Sequence, residues 1–431
     1  MKQIKKIKNS LLSRQITTAK LGLMTAKDLI KNRDKNSLKE TLRGALENNI
    51  DKVVDELDVM KGSLMKMGQM LSLFGGSFLP KEVQSFLKKL ENKSSYLEWS
   101  EISKQIPSHW PDEISIETQP LASASLGQVH LTKIEGSVYC MKIQYKGVRR
   151  AIDNDIKTLK YLIKLLGFIP KEIDLNHLFN EIKEMLLKET DYIQEAHNTQ
   201  EFFQLLSPYP EYIVPRVLDQ YSNDIILTTE YLEGVTLHEI EELKLTQDQK
   251  DQLGVEFMKL FLLELFIFEK VQTDAHFGNF LIIPGEKPKW GLIDFGATKV
   301  PPKKFIKNYQ SLILSLKNKD QEKFFETVFS MGYLSRKKDS NQDLFWEYAQ
   351  IIGSPFQEEV FDWGNTDIAD QVFEYIPKLL KSISIGNPPA DTFFIDKKLG
   401  GVFFVLQQLK AKFNVRKVLE DVIQMQKELP Q

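Results

Sequence analysis

Apolar positions recur at three- and four-residue steps from Leu46 to Phe74 (Ile50, Val53, Val54, Leu57, Met60, Leu64, Met67, Leu71), which predicts an amphipathic helix. Gly75-Gly76 and Pro80 punctuate its end, and a shorter helical stretch over 81–93 follows. From Ile114 the pattern turns β-like: Ser115–Thr118, Gly127–Thr132 and Val138–Gln144 are short runs separated by turns. Helical patterns return at Asp153–Gly167 and Leu175–Leu206, and Asp224–Glu230 is one more β-branched run, closed by Glu233-Gly234. The rest reads as mostly helical, apart from Phe280–Ile283 and Leu292–Asp294, two strand candidates joined by a Pro-Gly loop as in a hairpin. The expected outline is α+β. A helical extension spans 1–113, a small β-containing lobe 114–234, and a large helical lobe 235–431.

Composition narrows the class. With 431 residues, 42% hydrophobic and 27% charged, the chain can bury a large core and is not a disordered sequence. Its single cysteine, Cys140, excludes an internal disulfide framework and fits a reducing cytoplasm. Six histidines without a ligand-spaced pair argue against a zinc enzyme. The longest apolar run, Leu260–Phe268, is interrupted by Glu264 and is too short to span a bilayer. Nor does the N-terminus have the continuous apolar segment of a secretion signal. Residues 1–40 hold eleven Lys/Arg against three Asp/Glu, within a chain of net charge −2. Over residues 1–32 these cations alternate with Ile4, Ile7, Leu11 and Leu12, a mix suited to an interfacial helix on anionic lipid or to a solvated basic arm.

Candidate chemistry sits around the hairpin. Handling a nucleotide phosphate needs positive charge on the phosphates and oxygen ligands for magnesium. Asp274 and Asn279 stand five residues apart just before the strand pair, and Asp294-Phe295-Gly296 closes it fifteen residues after Asn279. Kinase-type sites use this order, with a base-position aspartate, an amide metal ligand, a hairpin, then the Asp-Phe-Gly metal ligand. Lys142 interrupts the apolar strand Val138–Gln144, where a charge is costly without a task; alternation alone would let it face solvent. Upstream, Pro120–His130 is a loop of small residues (Ala122, Ser123, Ala124, Ser125) with one glycine, Gly127, where a phosphate loop would stand.

Taken in order, these segments resemble the UbiB-type, aarF-domain-containing atypical kinases, a family linked to ubiquinone biosynthesis. Lys66-Met67-Gly68-Gln69 matches its Lys-x-Gly-Gln signature, Pro120–His130 its alanine-rich loop, and Lys142–Gly147 its lysine strand. Glu189-Thr190-Asp191 within Glu189–Asn198 matches its Glu-x-Asp helix, and Asp274–Asn279 with Asp294–Ala297 completes the set. Three departures stand out. Ser123 replaces a commoner alanine and Lys146 a proline, and the loop reads Asp-Ala-His-Phe-Gly-Asn where Asp-Pro-His-Pro-Gly-Asn is usual. Losing the prolines removes support for a rigid loop, not for metal binding.

The resemblance implies a two-lobed protein-kinase-like fold and ATP with Mg²⁺ as cofactors. Lys142 would hold phosphates and pair with a helix glutamate, Ala122 to Ser125 would line the nucleotide, Asp274 would be catalytic, and Asn279 and Asp294 would bind metal. Glu195 is the expected partner of Lys142, because Asp191, Glu195 and Asn198 share a helix face while Glu189 points elsewhere. Lys66, Gln69, Glu189 and Asp191 would form a gate over the substrate side, excluding protein substrates. His276 is expected to pack the loop rather than act as a base. Expected function is an ATPase supporting ubiquinone or other isoprenoid-lipid metabolism, with isoprenoid lipid or quinone-biosynthesis proteins as candidate partners and no nucleic acid. A small-molecule or lipid phosphotransferase and a pseudokinase scaffold are the alternatives. Location would be cytoplasmic, with peripheral contact at the inner membrane.

Overall fold

A computed structural model of the chain describes residues 2–4, 63, 64, 66–68, 95–111, 114–124, 126–166, 176–274, 276–334, 341–382 and 389–429. Those within the expected helix 46–74 are helical; the rest of that helix, the stretch 81–93 and nearly all of the basic arm lie outside the described residues. Lys2–Ile4 form a strand (β1) parallel to Ser95–Leu97 (β2), so this part of the arm is extended, not helical. The described chain divides into two compact units, one of Met1–His197 and Arg216–Tyr231, the other of Asn198–Pro215 and Leu232–Gln431.

In the first unit α1 (Trp99–Ile102) precedes an antiparallel sheet of β3 (Ser115–Ile116), β4 (Ala122–Ser123), β5 (Gly127–Ile134), β6 (Ser137–Gln144) and β8 (Ile226–Glu230), in the order β3-β5-β6-β8 with β4 also on β5. Glu135 and Gly136 turn the β5–β6 hairpin with φ of 50° and 82°, the left-handed pair that matches strand twist. Alternation along β6 buries Met141 and Ile143 on one face and leaves Lys142 on the other. Then come α2 (Val148–Leu166), α3 (Asn176–Glu189) and α4 (Tyr192–Leu206), whose residues from Asn198 on belong to the second unit. The single helix expected over 175–206 is broken at Thr190-Asp191. There the Asp191 carboxylate accepts from the Gln194 N–H at 3.1 Å and restarts the helix as a cap.

The second unit is built on α5 (Gln247–Phe266), opened by a Thr246–Gln249 capping box and buried along most of its length. Gly254 admits Ala411 and Phe413 against that helix; a Cβ there would lie 2.6 Å from Ala411 Cβ. A small sheet runs β7 (Tyr212–Ile213), β12 (Lys289–Leu292), β11 (Phe280–Ile283), β9 (Val235–Thr236), with β7 parallel to β12 and the others antiparallel. Trp290, fully buried in β12, donates its indole N–H to the Leu253 carbonyl at 3.0 Å, and the Tyr212 hydroxyl donates to that of Glu256 at 2.7 Å. The Tyr212 bond to α5 and the pairing of β7 with β12 explain why Asn198–Pro215, which the sequence pattern groups with the small lobe, belongs to the larger unit. The Trp290 bond explains the hairpin's second strand, which falls at Lys289–Leu292 rather than 292–294: Trp290 seats it against the core, and Asp294 follows it. Strands β10 (Val271–Gln272) and β13 (Thr298–Lys299) pair with each other. Helices α6 (Lys303–Lys317), α7 (Gln321–Ser330), α8 (Gln342–Gly353), α9 (Ile368–Ser382), α10 (Ala390–Leu409) and α11 (Val415–Glu428) complete the unit, with β14 (Phe361–Asp362) paired to β15 (Lys412–Phe413). Helices α10 and α11 pack on α5.

His130 is a buried polar group of β5. Its Nδ1–H donates to the Glu117 carbonyl at 2.6 Å, so the Nε2 lone pair accepts from the Gln128 amide at 2.9 Å. Burial holds its pKa below the usual histidine value of about 6.5, against the opposing pull of the Glu117 carbonyl. The unfolded chain therefore binds the extra proton first, and folding stability rises with pH through this window. Stability contributed by neutral His130 should be present above pH ~6.5 and lost as pH falls toward its folded value. Urea midpoints from pH 5 to 8 should show this fall in wild type and a flatter profile in His130→Gln; identical profiles would remove His130 as its source.

Candidate active site

Two groups of site residues form, one in each unit. In the first, Lys142 Nζ donates to both carboxylate oxygens of Glu195, at 2.7 and 3.0 Å, and lies 5.1 Å above the Tyr192 ring. The Glu195 side chain is only 2% exposed and that of Lys142 18%, so each charge needs the other. Gln144, two residues along β6, donates to the Thr190 carbonyl at 3.0 Å and ties the strand to the start of α4. That bond sets the helix phase that brings Glu195 to the lysine. Glu189 lies elsewhere, paired with Lys66 at 2.9 Å; Asp191 lies 3.9 Å from Arg149 besides capping α4. Gln69, the fourth gate residue, is outside the described residues.

The small-residue loop begins on β4, where Ala122 pairs with Val129 and Ser123 with Gln128. Ser123 Oγ lies 3.5 Å from the Tyr145 hydroxyl, Ala124 follows half-buried, and Ser125 is outside the described residues. Gly127 is required by close approach: a Cβ there would sit 2.5 Å from the Ile143 carbonyl oxygen and 2.9 Å from the Tyr192 hydroxyl. The loop's one glycine thus serves packing under the loop.

In the second unit, backbone pairing draws the two acidic segments together. β10 pairs with β13, and the Thr273 N–H and hydroxyl both donate to the Ala297 carbonyl, at 3.0 and 2.7 Å. Register in the hairpin sets Phe280 opposite Leu292, and the Ile293 N–H donates to the Asn279 carbonyl at 3.2 Å. Asp274 precedes one arm of this closure and Asp294 follows the other. Asn279 Nδ2 donates to the Asp274 carbonyl at 3.0 Å and its carboxylate at 3.3 Å, which leaves the amide oxygen as the atom to offer a cation. The Asp294 carboxylate accepts from the Gly296 N–H at 3.0 Å. Phe295 is buried and stacks on Phe202 with centroids 4.6 Å apart, while its carbonyl accepts from Asn198 Nδ2 and Thr298 Oγ1. His276 Nδ1 accepts from the Gly278 N–H at 3.1 Å and caps the turn Phe277–Asn279.

Among the described residues no cluster of three His, Cys, Asp or Glu forms a self-sufficient metal cage. Asn279 and Asp294 nevertheless fit magnesium by donor type, one carbonyl and one carboxylate oxygen, since Mg²⁺ at nucleotide sites draws its other ligands from phosphates and water.

The comparisons decide the family. An ABC1 atypical kinase-like domain matches residues 89–328, more than half of the chain. The chain belongs to the ABC1 (UbiB/AarF) atypical kinase-like family. It is 29% identical over 386 residues to the mitochondrial atypical kinase COQ8 of Saccharomyces cerevisiae, covering 87% of this chain and 76% of that one. With Caenorhabditis elegans coq-8 the identity is 29%, over 85% of this chain but only 49% of the relative. Among solved structures, the erythromycin complex of Rv3197 from Mycobacterium tuberculosis aligns with a TM-score of 0.61 at 25% identity, over 90% of this chain and 98% of that one. The fold is kinase-like, and the protein is an atypical kinase-like member of this family.

Lys397 is a residue that sequence reasoning missed. Its ammonium lies 3.2 Å from Asp274 Oδ1, on α10, 123 residues along the chain, and no local pattern marks it.

Removing one partner of a buried ion pair costs about 3–5 kcal/mol, because the other charge is left uncompensated. Glu195→Gln should therefore lower urea stability by an amount of that order, and Lys142→Met/Glu195→Leu by distinctly less. Equal losses in the two variants would show that the pair is not what the site rests on.

Proposed function

We propose that the chain is a magnesium-dependent enzyme that binds and turns over ATP. Lys142, aligned by Glu195, takes the nucleotide's phosphates. The described part of the small-residue loop, Ala122 to Ala124, would line them, its small side chains letting backbone N–H groups approach. Asp274 stands in the base position, with its carboxylate oriented by Asn279, and accepts the proton of the attacking hydroxyl or water. Magnesium, held by Asn279 and Asp294, would neutralise charge developing on the phosphates. The buried Lys142–Glu195 pair carries this reading, since an active kinase site needs its strand lysine held by a helix glutamate. It also weighs against a pure scaffold.

The Lys66–Glu189 pair favours the gate reading, in which the extension bars protein substrates and leaves small acceptors or water. The family resemblance directs the activity toward isoprenoid-quinone metabolism, and the basic arm toward an anionic membrane surface. Among the described residues no helix is long and apolar enough to cross a membrane.

ATP hydrolysis by the purified full chain, with Mg²⁺ and with or without anionic vesicles, tests the assignment. Asp274→Asn should slow turnover by about 10²-fold or more, and generic peptides should not be phosphorylated. Wild-type turnover in a folded Asp274→Asn variant would overturn the catalytic reading; robust peptide phosphorylation would overturn the gate.

A further inference from the structure

The loop Asp274–Asn279 has neither a proline nor a lysine of its own. Helix α10 meets this loop at two points and the strand just before it at a third, all within the second unit. Lys397 Nζ lies 3.2 Å from Asp274 Oδ1, with both side chains about one quarter exposed. Lys398, next along the helix and 1% exposed, donates to Gln272 Oε1 at 3.2 Å, and Gln272 Nε2 donates in turn to the Asp274 carbonyl at 2.9 Å. The buried carboxylate of Glu264 lies 3.3 Å from the Lys398 ammonium and fixes it from behind. Phe404, seven residues after Lys397 and hence on the same helix face, stacks on the loop's Phe277 with centroids 4.8 Å apart. The His238 ring meets that phenylalanine edge-on at 5.3 Å.

We propose that α10 is the support of the catalytic loop, and that Lys397 is a positioning residue for the Asp274 carboxylate. Each carboxylate oxygen then has its own donor. Lys397 holds Oδ1 from the helix side, and Asn279 reaches Oδ2 from within the loop. This fixes the rotation of the carboxyl group about its Cβ–Cγ bond, and with it the direction in which a remaining lone pair receives a proton. A rigid helix held by the Glu264–Lys398 pair is a better platform for that than a loop free of proline. The inference rests on the proposed role of Asp274.

The experiment is steady-state ATP hydrolysis by the full chain as wild type, Lys397→Met, Lys397→Arg, Asp274→Asn and Lys397→Met/Asp274→Asn, with a melting curve for each. Lys397→Met should lower kcat about tenfold or more while KM for ATP stays within about twofold. Lys397→Arg should recover most of that loss, and Lys397→Met should add nothing in the Asp274→Asn background, because it acts through that carboxylate. Wild-type kcat in Lys397→Met, with Asp274→Asn inactive, overturns the positioning role and leaves the catalytic reading standing. Equal losses in the Met and Arg variants, accompanied by lowered melting, make Lys397 structural and overturn it as well. If Asp274→Asn keeps wild-type turnover, or the wild type has none, the catalytic reading fails and this inference falls with it.

Discussion

The closure of the Asp274–Asn279 loop against Ile293–Ala297 is the contact on which the site depends. Without it two carboxylates twenty residues apart in sequence have no reason to share one edge of the unit. The closure is mostly backbone: the β10–β13 pair, the Thr273 N–H on the Ala297 carbonyl and the Ile293 N–H on the Asn279 carbonyl, with the Thr273 hydroxyl adding one side-chain bond. Backbone bonds are indifferent to most side-chain changes, so the loop presents its acid and amide without a proline to stiffen it. The rigidity that proline would have supplied is the part that needs another source.

Charge in apolar surroundings is the second constraint. Glu195 and Glu264 are both nearly inaccessible, and each faces a lysine, Lys142 at 2.7 Å and Lys398 at 3.3 Å. Burial pushes the Glu264 carboxyl up to about 7, while Lys398 pulls the other way. A pair placed so deep is weak evidence for stability, since a well-packed apolar pair can serve equally. The geometry fits orientation better: one pair holds the strand lysine, and the other holds the Lys398–Gln272 contacts that end at Asp274.

What could be read from the sequence follows the range of each contact. Lys142 announced itself as a charge inside an apolar strand; Glu195 was preferred to Glu189 on the spacing of one helix, whereas the break at Thr190-Asp191 puts the two on different helices. Asp274, Asn279 and Asp294 were legible through order and spacing around a hairpin. Local rules failed where tertiary bonds intervened. Asp191 broke one expected helix into two, and Trp290 and Tyr212 drew β12 and the 198–215 segment onto α5. Lys397 illustrates the limit best, for it reaches Asp274 across 123 residues from a stretch that carries no motif. Glu264 was visible as an interruption of the longest apolar run, but its partner and purpose were not.

We propose that Asp294 holds the metal through which nucleotide is bound. Calorimetric titration of ATP, with and without magnesium, into the full-length wild type and Asp294→Asn tests it most directly. The substitution keeps size and shape while removing one anionic ligand. Wild type should bind ATP more tightly with magnesium than without, and folded Asp294→Asn should lose that difference. Unchanged Mg·ATP affinity in folded Asp294→Asn would contradict the account.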